Sequence, residues 1–260
     1  MNDRPMSMRP SRVLATMRAG GVAVSVKLNL SDPRAAEIAG LCGFDCVWLD
    51  HEHCANTLRD IEDQVRAIKM SGADALVRVP RGSYSDLIHP LEMDATGIMV
   101  PHVMSADDAR RVAWQTRFHP VGRRPVDSGN ADGAYTMIPL TDYMQQANRE
   151  RFVIIQIEDP EPLEELDEIV RVEGIDVVLF GPCDFSHGIG DPGRFDHPKV
   201  IAARKRVAEA ARAAGKFAGT TGTPETFASL VDEGFQFINL GSDVVSLGRS
   251  FREMLAAIGR

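Results

Sequence analysis

Glu158 closes the apolar run "RFVIIQIE" (151–158), and Asp184 follows "IDVVLFGP" (175–182) in the stretch "GPCDFS". Two carboxylates at the ends of successive apolar runs, with no Cys or His cluster beside them, make an oxygen-rich pair. Hard divalent cations such as Mg²⁺ and Mn²⁺ prefer such donors, and two protein carboxylates leave positions for water and substrate oxygens. The same acids have a structural use: Glu158 would cap the next helix, and Asp184 would cap a turn with Ser186. Arg78 lies inside "ALVRVP", flanked by apolar residues. An unpaired buried charge is very costly. Arg78 therefore either neutralises Asp50 or Glu158, or binds a substrate carboxylate or developing oxyanion, where one good donor is worth about 2.7–4 kcal/mol. A retaining glycosidase also uses two carboxylates but has no need of that arginine.

The stretch "DHEH" (Asp50, His51, Glu52, His53) ends another apolar run. If the strand continues, the two histidines share a side; if a turn begins, they diverge. Each is a metal ligand, a general base near neutral pH, or a plainly hydrogen-bonded residue. His102 in "VPHV" has the same alternatives, whereas His89, His119, His187 and His197 read as surface or loop residues. Lys27 is the one lysine placed to act as a Schiff-base nucleophile. The four cysteines, Cys42, Cys46, Cys54 and Cys183, form no C-x-x-C pair and read as buried structural thiols, with a backbone role open for Cys54 and Cys183.

These groups need a scaffold that brings strand ends together. Strand-like runs occupy 21–30, 44–50, 74–80, 97–103, 151–158, 175–182, 216–222 and 235–241. They are near-continuously apolar, as in a parallel sheet covered on both faces. Between them lie amphipathic stretches with Ser, Thr or Asp at their starts and Gly at their ends. Alternating units of this kind over 260 residues predict one α/β domain, residues 1–260: a (β/α)8 TIM barrel, with the chemistry at the carboxyl ends of its strands. A doubly wound open sheet is the competitor, but no G-x-G-x-x-G follows the first strand. The segment 119–135, rich in Gly, Asp and Arg, exceeds ordinary loop length and reads as functional or as an oligomer contact. A net charge of −8 argues against nucleic acid or an anionic membrane as partner. With neither a signal core nor an apolar span, the expected location is cytoplasmic.

"FDCVWLDHEH", "ALVRVP", "GIMVPHV", "VIIQIEDPEPLEELDEIVRVEGIDVVLFGPCDFSHGIG" and "FINLGSDVVSL" together resemble the class II pyruvate-dependent aldolases of the HpcH/HpaI aldolase/citrate lyase family, over about residues 10 to 258. The resemblance implies that Glu158 and Asp184 bind a divalent metal cation (Mg²⁺, Mn²⁺ or Co²⁺) and that Gln156 touches the keto acid. It implies that backbone amides at Cys183 and Asp184 hold the pyruvate carboxylate, and that Arg78 stabilises the enolate. His53 is implied in proton transfer, supported by Glu92, which stands where the family has Asp. His102 matches a histidine of some relatives. His51, Cys183, Phe185 and Pro125 depart from the commoner pattern, which bears on substrate choice more than on chemistry.

The implied reaction is reversible cleavage of a 4-hydroxy-2-oxo acid to pyruvate or hydroxypyruvate and an aldehyde, so the partners are small 2-oxo acids and aldehydes. The nearest alternative is an oxaloacetate decarboxylase or a macrophomate synthase-like carboligase on the same site. A citrate-lyase-like acyl-CoA lyase and a non-catalytic sensor barrel stand further off. The resemblance also implies a homo-oligomer, hexamer or trimer, with C-terminal helices swapped between subunits. The apolar spacing of "VVSLGRSFREMLAAIG" (244–259) suits either that packing or an ordinary eighth helix.

Overall fold

Near-continuous apolar runs bury both faces only inside a layered structure, and here they close on themselves. In the computed structural model, which describes residues 6–260, eight parallel strands form a closed barrel in the order β1-β2-β3-β4-β5-β6-β7-β8. The strands are β1 (Ala23–Leu28), β2 (Cys46–Asp50), β3 (Asp74–Arg78), β4 (Gly97–Val100), β5 (Phe152–Ile157), β6 (Val177–Phe180), β7 (Phe217–Gly222) and β8 (Phe237–Ser242). Helix α1 (Arg12–Arg18) precedes β1; α2 (Pro33–Leu41), α3 (Leu58–Ser71), α4 (Tyr84–Glu92) and α5 (Ala106–Thr116) follow the first four strands in turn. Helix α6 (Leu140–Glu150) precedes β5, α7 (Leu166–Ile169) follows it, and α8 (Pro182–Gly188) and α9 (Pro198–Ala213) follow β6. Helices α10 (Phe227–Asp232) and α11 (Asp243–Ala257) follow β7 and β8. Every expected strand is present, and the fold is a (β/α)8 TIM barrel. Residues 1–5 of the expected domain 1–260 lie outside the described residues.

Side chains alternate across a strand, which divides the apolar residues into two shells. Val47, Leu49, Val77, Ile98, Val153, Ile155 and Val178 point outward and pack under the helices. Cys46, Trp48, Leu76, Met99, Phe152, Ile154, Val177 and Leu179 point inward, and Val13, Leu14 and Met17 of α1 join them as a plug. Asp74, fully buried, fixes that plug by accepting from Ser11 Oγ at 2.7 Å and the Val13 N–H at 2.9 Å. Because the period is two, the inward rows Cys46–Trp48, Leu76 and Phe152–Ile154 continue into Asp50, Arg78 and Gln156. The filled barrel thus becomes polar at one end.

Local signals explain the helix ends. Thr57 and Asp60 form a capping box at the start of α3, and Gly72 ends it at φ +80°, where a side chain would be strained. The long segment 119–135 is anchored by its own small core of Met8, Phe118, Ile138, Tyr143 and Ala147. Within it Arg124 meets Asp132 at 2.8 Å, and the Tyr143 hydroxyl donates to the same carboxylate at 2.8 Å. Among the described residues no helix is long and apolar enough to cross a membrane.

Candidate active site

The carboxyl ends of the strands surround a cavity of about 460 Å³ lined by Lys27, Trp48, His53, Arg78, Gln156, Glu158, Gly181, Pro182, Cys183, Asp184, Thr221 and Asn239. Five residues singled out by their type or by the family resemblance, His53, Arg78, Gln156, Glu158 and Asp184, therefore share one space, with Cys183 beside them.

Strand register puts Asp50 next to Arg78 and Lys27 next to Trp48. The Arg78 guanidinium is bidentate on Asp50, with Nε to Oδ1 at 3.0 Å and Nη2 to Oδ2 at 2.7 Å. Its Nε also lies 3.1 Å from Glu52 Oε2, and its plane rests 5.0 Å from the Trp48 ring. Burial opposes the charge on Arg78, but the Asp50 hydrogen bonds and charge, then Glu52 and Glu158, hold its pKa above the ordinary value. Asp50 is fully buried. Burial pushes its carboxyl up, yet Arg78 and then Lys27 outweigh that and hold it well below the usual carboxylate range. Arg78 thus neutralises Asp50 and also borders the cavity.

Glu158 is 2% exposed. Its Oε1 accepts the His102 N–H at 2.9 Å, and its Oε2 accepts from Gln156 Nε2 at 2.7 Å. Burial, reinforced by the charge of Asp184, raises this carboxyl to about 7 against the opposing influence of His102 and Arg78. Gly181 makes room for it, since a Cβ there would stand 2.6 Å from Glu158 Oε2. Neither acid serves as a helix cap. Ser186 Oγ donates to the Cys183 carbonyl at 2.7 Å rather than pairing with Asp184. Gln156 Oε1 is buried with no protein partner, so one acceptor on the cavity wall is unused.

Several expectations are corrected. Strand β2 stops at Asp50, so the two histidines diverge: the His51 N–H is bound to the Arg78 carbonyl at 2.9 Å, while His53 reaches the cavity, its Nε2 3.5 Å from Glu52 Oε2. Glu92 makes no hydrogen bond or ion pair with His53 within the chain. It borders a separate cavity with Glu62, His89 and Tyr135, and burial raises its pKa. The end of α4 simply lies on the helix layer, away from the β2 rim. His102 stands past β4 at φ +47° and is not part of the cavity wall. Its Nδ1 meets Asp159 Oδ2 at 2.8 Å, and the 3₁₀ turn Glu161–Leu163 that follows Pro160 has no side-chain cap. Of the cysteines only Cys46 is buried, and Cys42 and Cys183 are exposed. Trp48, Thr221 and Asn239 escaped notice because none is unusual in a strand; the inward period of two was the signal that selected them.

Among the described residues no group of three or more His, Cys, Asp and Glu side chains is arranged to hold a metal ion. The Glu158–Asp184 pair still fits a hard cation: its donors are all oxygen and it faces an open cavity, with His102 Nδ1 3.8 Å from Glu158 Oε1.

The chain matches the profile of the family described as HpcH/HpaI aldolase/citrate lyase over residues 26–249. It is 34% identical over 250 residues to a hydroxypyruvate/pyruvate aldolase of Pseudomonas aeruginosa, covering 96% of this chain and 93% of that protein. It is 33% identical over 241 residues to a 2-keto-3-deoxy-L-rhamnonate aldolase of Shigella sonnei, covering 92% and 90%. Among solved structures, an HpcH/HpaI aldolase from Desulfitobacterium hafniense superposes with a TM-score of 0.89 at 30% identity, over 94% of this chain and 95% of that one.

Proposed function

The chain belongs to the HpcH/HpaI aldolase/citrate lyase family, and on that premise we propose that it is a carbon–carbon lyase. In this reading one barrel domain, residues 1–260, cleaves a 4-hydroxy-2-oxo acid reversibly to pyruvate or hydroxypyruvate and an aldehyde. The observation that carries the reading is the meeting of Glu158, Asp184, Gln156, Arg78 and His53 around one cavity.

Glu158 and Asp184 are the residues that would hold a divalent cation, Mg²⁺, Mn²⁺ or Co²⁺. When bound, such an ion supplies Lewis-acid polarisation of the 2-oxo acid. Gln156, clamped through Nε2 to Glu158, orients the substrate's keto acid end. The Cys183 and Asp184 backbone at the start of α8 receives the carboxylate. Arg78, held rigid by Asp50 and Trp48, presents its positive charge where negative charge collects. The His53 ring takes the proton of the 4-hydroxyl, the C3–C4 bond breaks, and its electron pair stays on the pyruvate fragment as an enolate. The aldehyde departs, and His53 delivers a proton through its ring to C3. His102 and Glu92, which are outside the cavity wall, have no step in this scheme.

Pyruvate release from a panel of 4-hydroxy-2-oxo acids tests the reading. Treatment with EDTA should abolish it, and Mg²⁺, Mn²⁺ or Co²⁺ should restore it. Full activity in chelator, with Lys27 trapped by borohydride, would overturn it in favour of an imine mechanism.

We also propose a homo-oligomer, a hexamer or trimer. Its support is that α11 buries none of its residues and shows Val245, Phe251, Met254, Leu255 and Ile258 to solvent.

A further inference from the structure

His102 and Asp159 have no step in the scheme above, yet they lie against Glu158. Regular pairing of β4 with β5 stops at Val100 and Ile155. Beyond it the chain turns through Pro101 and His102 and returns to the end of β5 by two donors. The Val103 N–H reaches the Gln156 carbonyl at 3.2 Å, and the His102 N–H reaches Glu158 Oε1 at 2.9 Å. His102 makes that bond from φ +47°. This left-handed conformation is uncommon outside glycine and persists only where neighbouring contacts over-determine it.

Two sets of contacts do so. Arg81, paired with Asp108 at 2.8 Å, donates to the Pro101 and His102 carbonyls. The His102 ring supplies the other, with Nδ1 2.8 Å from Asp159 Oδ2. An ionised carboxylate only accepts, so the ring donates, and Asp159 ties it to the residue next to Glu158. The two side chains are 35% and 25% exposed, at the solvent edge of a Glu158 that is almost fully buried. Gln156 Nε2 holds one Glu158 oxygen and the His102 N–H holds the other. The turn at His102 therefore sets one of the two anchors that fix how this carboxylate faces the cavity.

We propose that Asp159 is a positioning residue: through the His102 ring it holds the left-handed turn whose N–H orients the Glu158 carboxylate toward a divalent cation. The inference rests on the reading of Glu158 as a metal ligand.

Mn²⁺ affinity, read by electron paramagnetic resonance, tests it without recourse to turnover, and melting temperature controls for folding. Support of a ligand from behind is worth about 10–100-fold in metal affinity. Asp159→Ala and His102→Ala should each lose about that much, and the two together no more than either alone. Asp159→Asn keeps an oxygen that accepts from the ring and should recover most of the affinity. A loss as large as in Asp159→Ala would assign the effect to charge and overturn the proposal. Glycine adopts positive φ freely, so His102→Gly should bind Mn²⁺ more tightly than His102→Ala although both lack the ring. Adding Asp159→Ala to His102→Gly should then change nothing further. Equal losses in His102→Gly and His102→Ala would mean that the ring serves the site and the turn does not, which sinks the proposal. Glu158→Gln separates the two readings. If it binds Mn²⁺ as the wild type does, the metal reading falls and this inference with it. If it binds weakly while Asp159→Ala binds normally, this inference alone falls.

Discussion

Arg78 spends its Nε and one terminal nitrogen on Asp50, so its role at the cavity and its role in the fold are joined. Replacing it by alanine leaves the buried Asp50 carboxylate with Lys27 as its cationic partner and the Glu52 and His53 N–H groups, and breaking a buried pair costs about 3–5 kcal/mol. Arg78→Lys is the cleaner variant. It keeps the charge but loses the planar fork, and kcat should fall about 10²–10³-fold while circular dichroism stays native. Wild-type turnover in that variant would remove Arg78 from the chemistry. Asp50 makes a pH prediction. Its folded pKa lies below the ordinary 3.8, so the unfolded chain binds the extra proton as the solution is acidified. Its contribution to stability is complete above about pH 5 and is lost as pH falls through 3.8 toward the depressed folded value. Denaturant unfolding of wild type and Asp50→Asn should differ widely at about pH 7, and the gap should shrink as the pH falls below 3.8 toward the depressed folded value. A constant gap would contradict the pairing. At this scale the sequence named Arg78, Glu158 and Asp184 because ionisable groups at the ends of apolar runs are conspicuous, whereas the choice of His53 over His51 came from the family resemblance. It left open which partner Arg78 takes, because Asp50 and Glu158 are equally acidic on paper.

Two glycines show how strands and turns serve different ends. A Cβ at Gly97 in β4 would lie 2.2 Å from the Phe152 ring, inside the barrel core. Gly97→Ala should destabilise by about 1–3 kcal/mol through overpacking, with kcat per folded molecule unchanged. A Cβ at Gly181, between β6 and α8, would instead press on the Glu158 carboxylate. Gly181→Ala should weaken Mn²⁺ binding by about 10–100-fold, as loss of ligand support does, with a smaller effect on melting temperature. A Mn²⁺ titration followed by electron paramagnetic resonance reads this directly, and unchanged affinity would argue against Glu158 as a ligand. The strands were legible as elements because burial on both faces leaves a continuous apolar signature. The turns after them were less so. His102 at positive φ and the pairing of Asp159 with its ring depend on how the β4 and β5 exits approach each other, which no local pattern encodes.

For the whole molecule, the exposed apolar face of α11 and a groove lined by Val26, Leu28, Leu30, Ile38 and Leu247 make a contiguous surface of the type that associates. Light scattering should give a multiple of the chain mass, and Phe251→Glu with Met254→Glu should reduce it to the single chain. A wild type that stays monomeric at all concentrations would refute the oligomer. What the sequence determined by itself is the order of eight β/α units, because short continuous apolar runs alternate along the chain with amphipathic stretches of period 3.6. It therefore also determined that the chemistry collects at one end of the barrel. Only the tertiary structure decided who meets whom at that end. The parallel pairings of β1 with β2 and β2 with β3 bring Lys27 to Asp50 and Asp50 to Arg78, the exit of β5 brings Gln156 to Glu158, and Glu92 is left on another surface. Of those contacts, the ones between strands join residues as far as 28 positions apart, and their distances are set by register, which a one-residue slip would reverse.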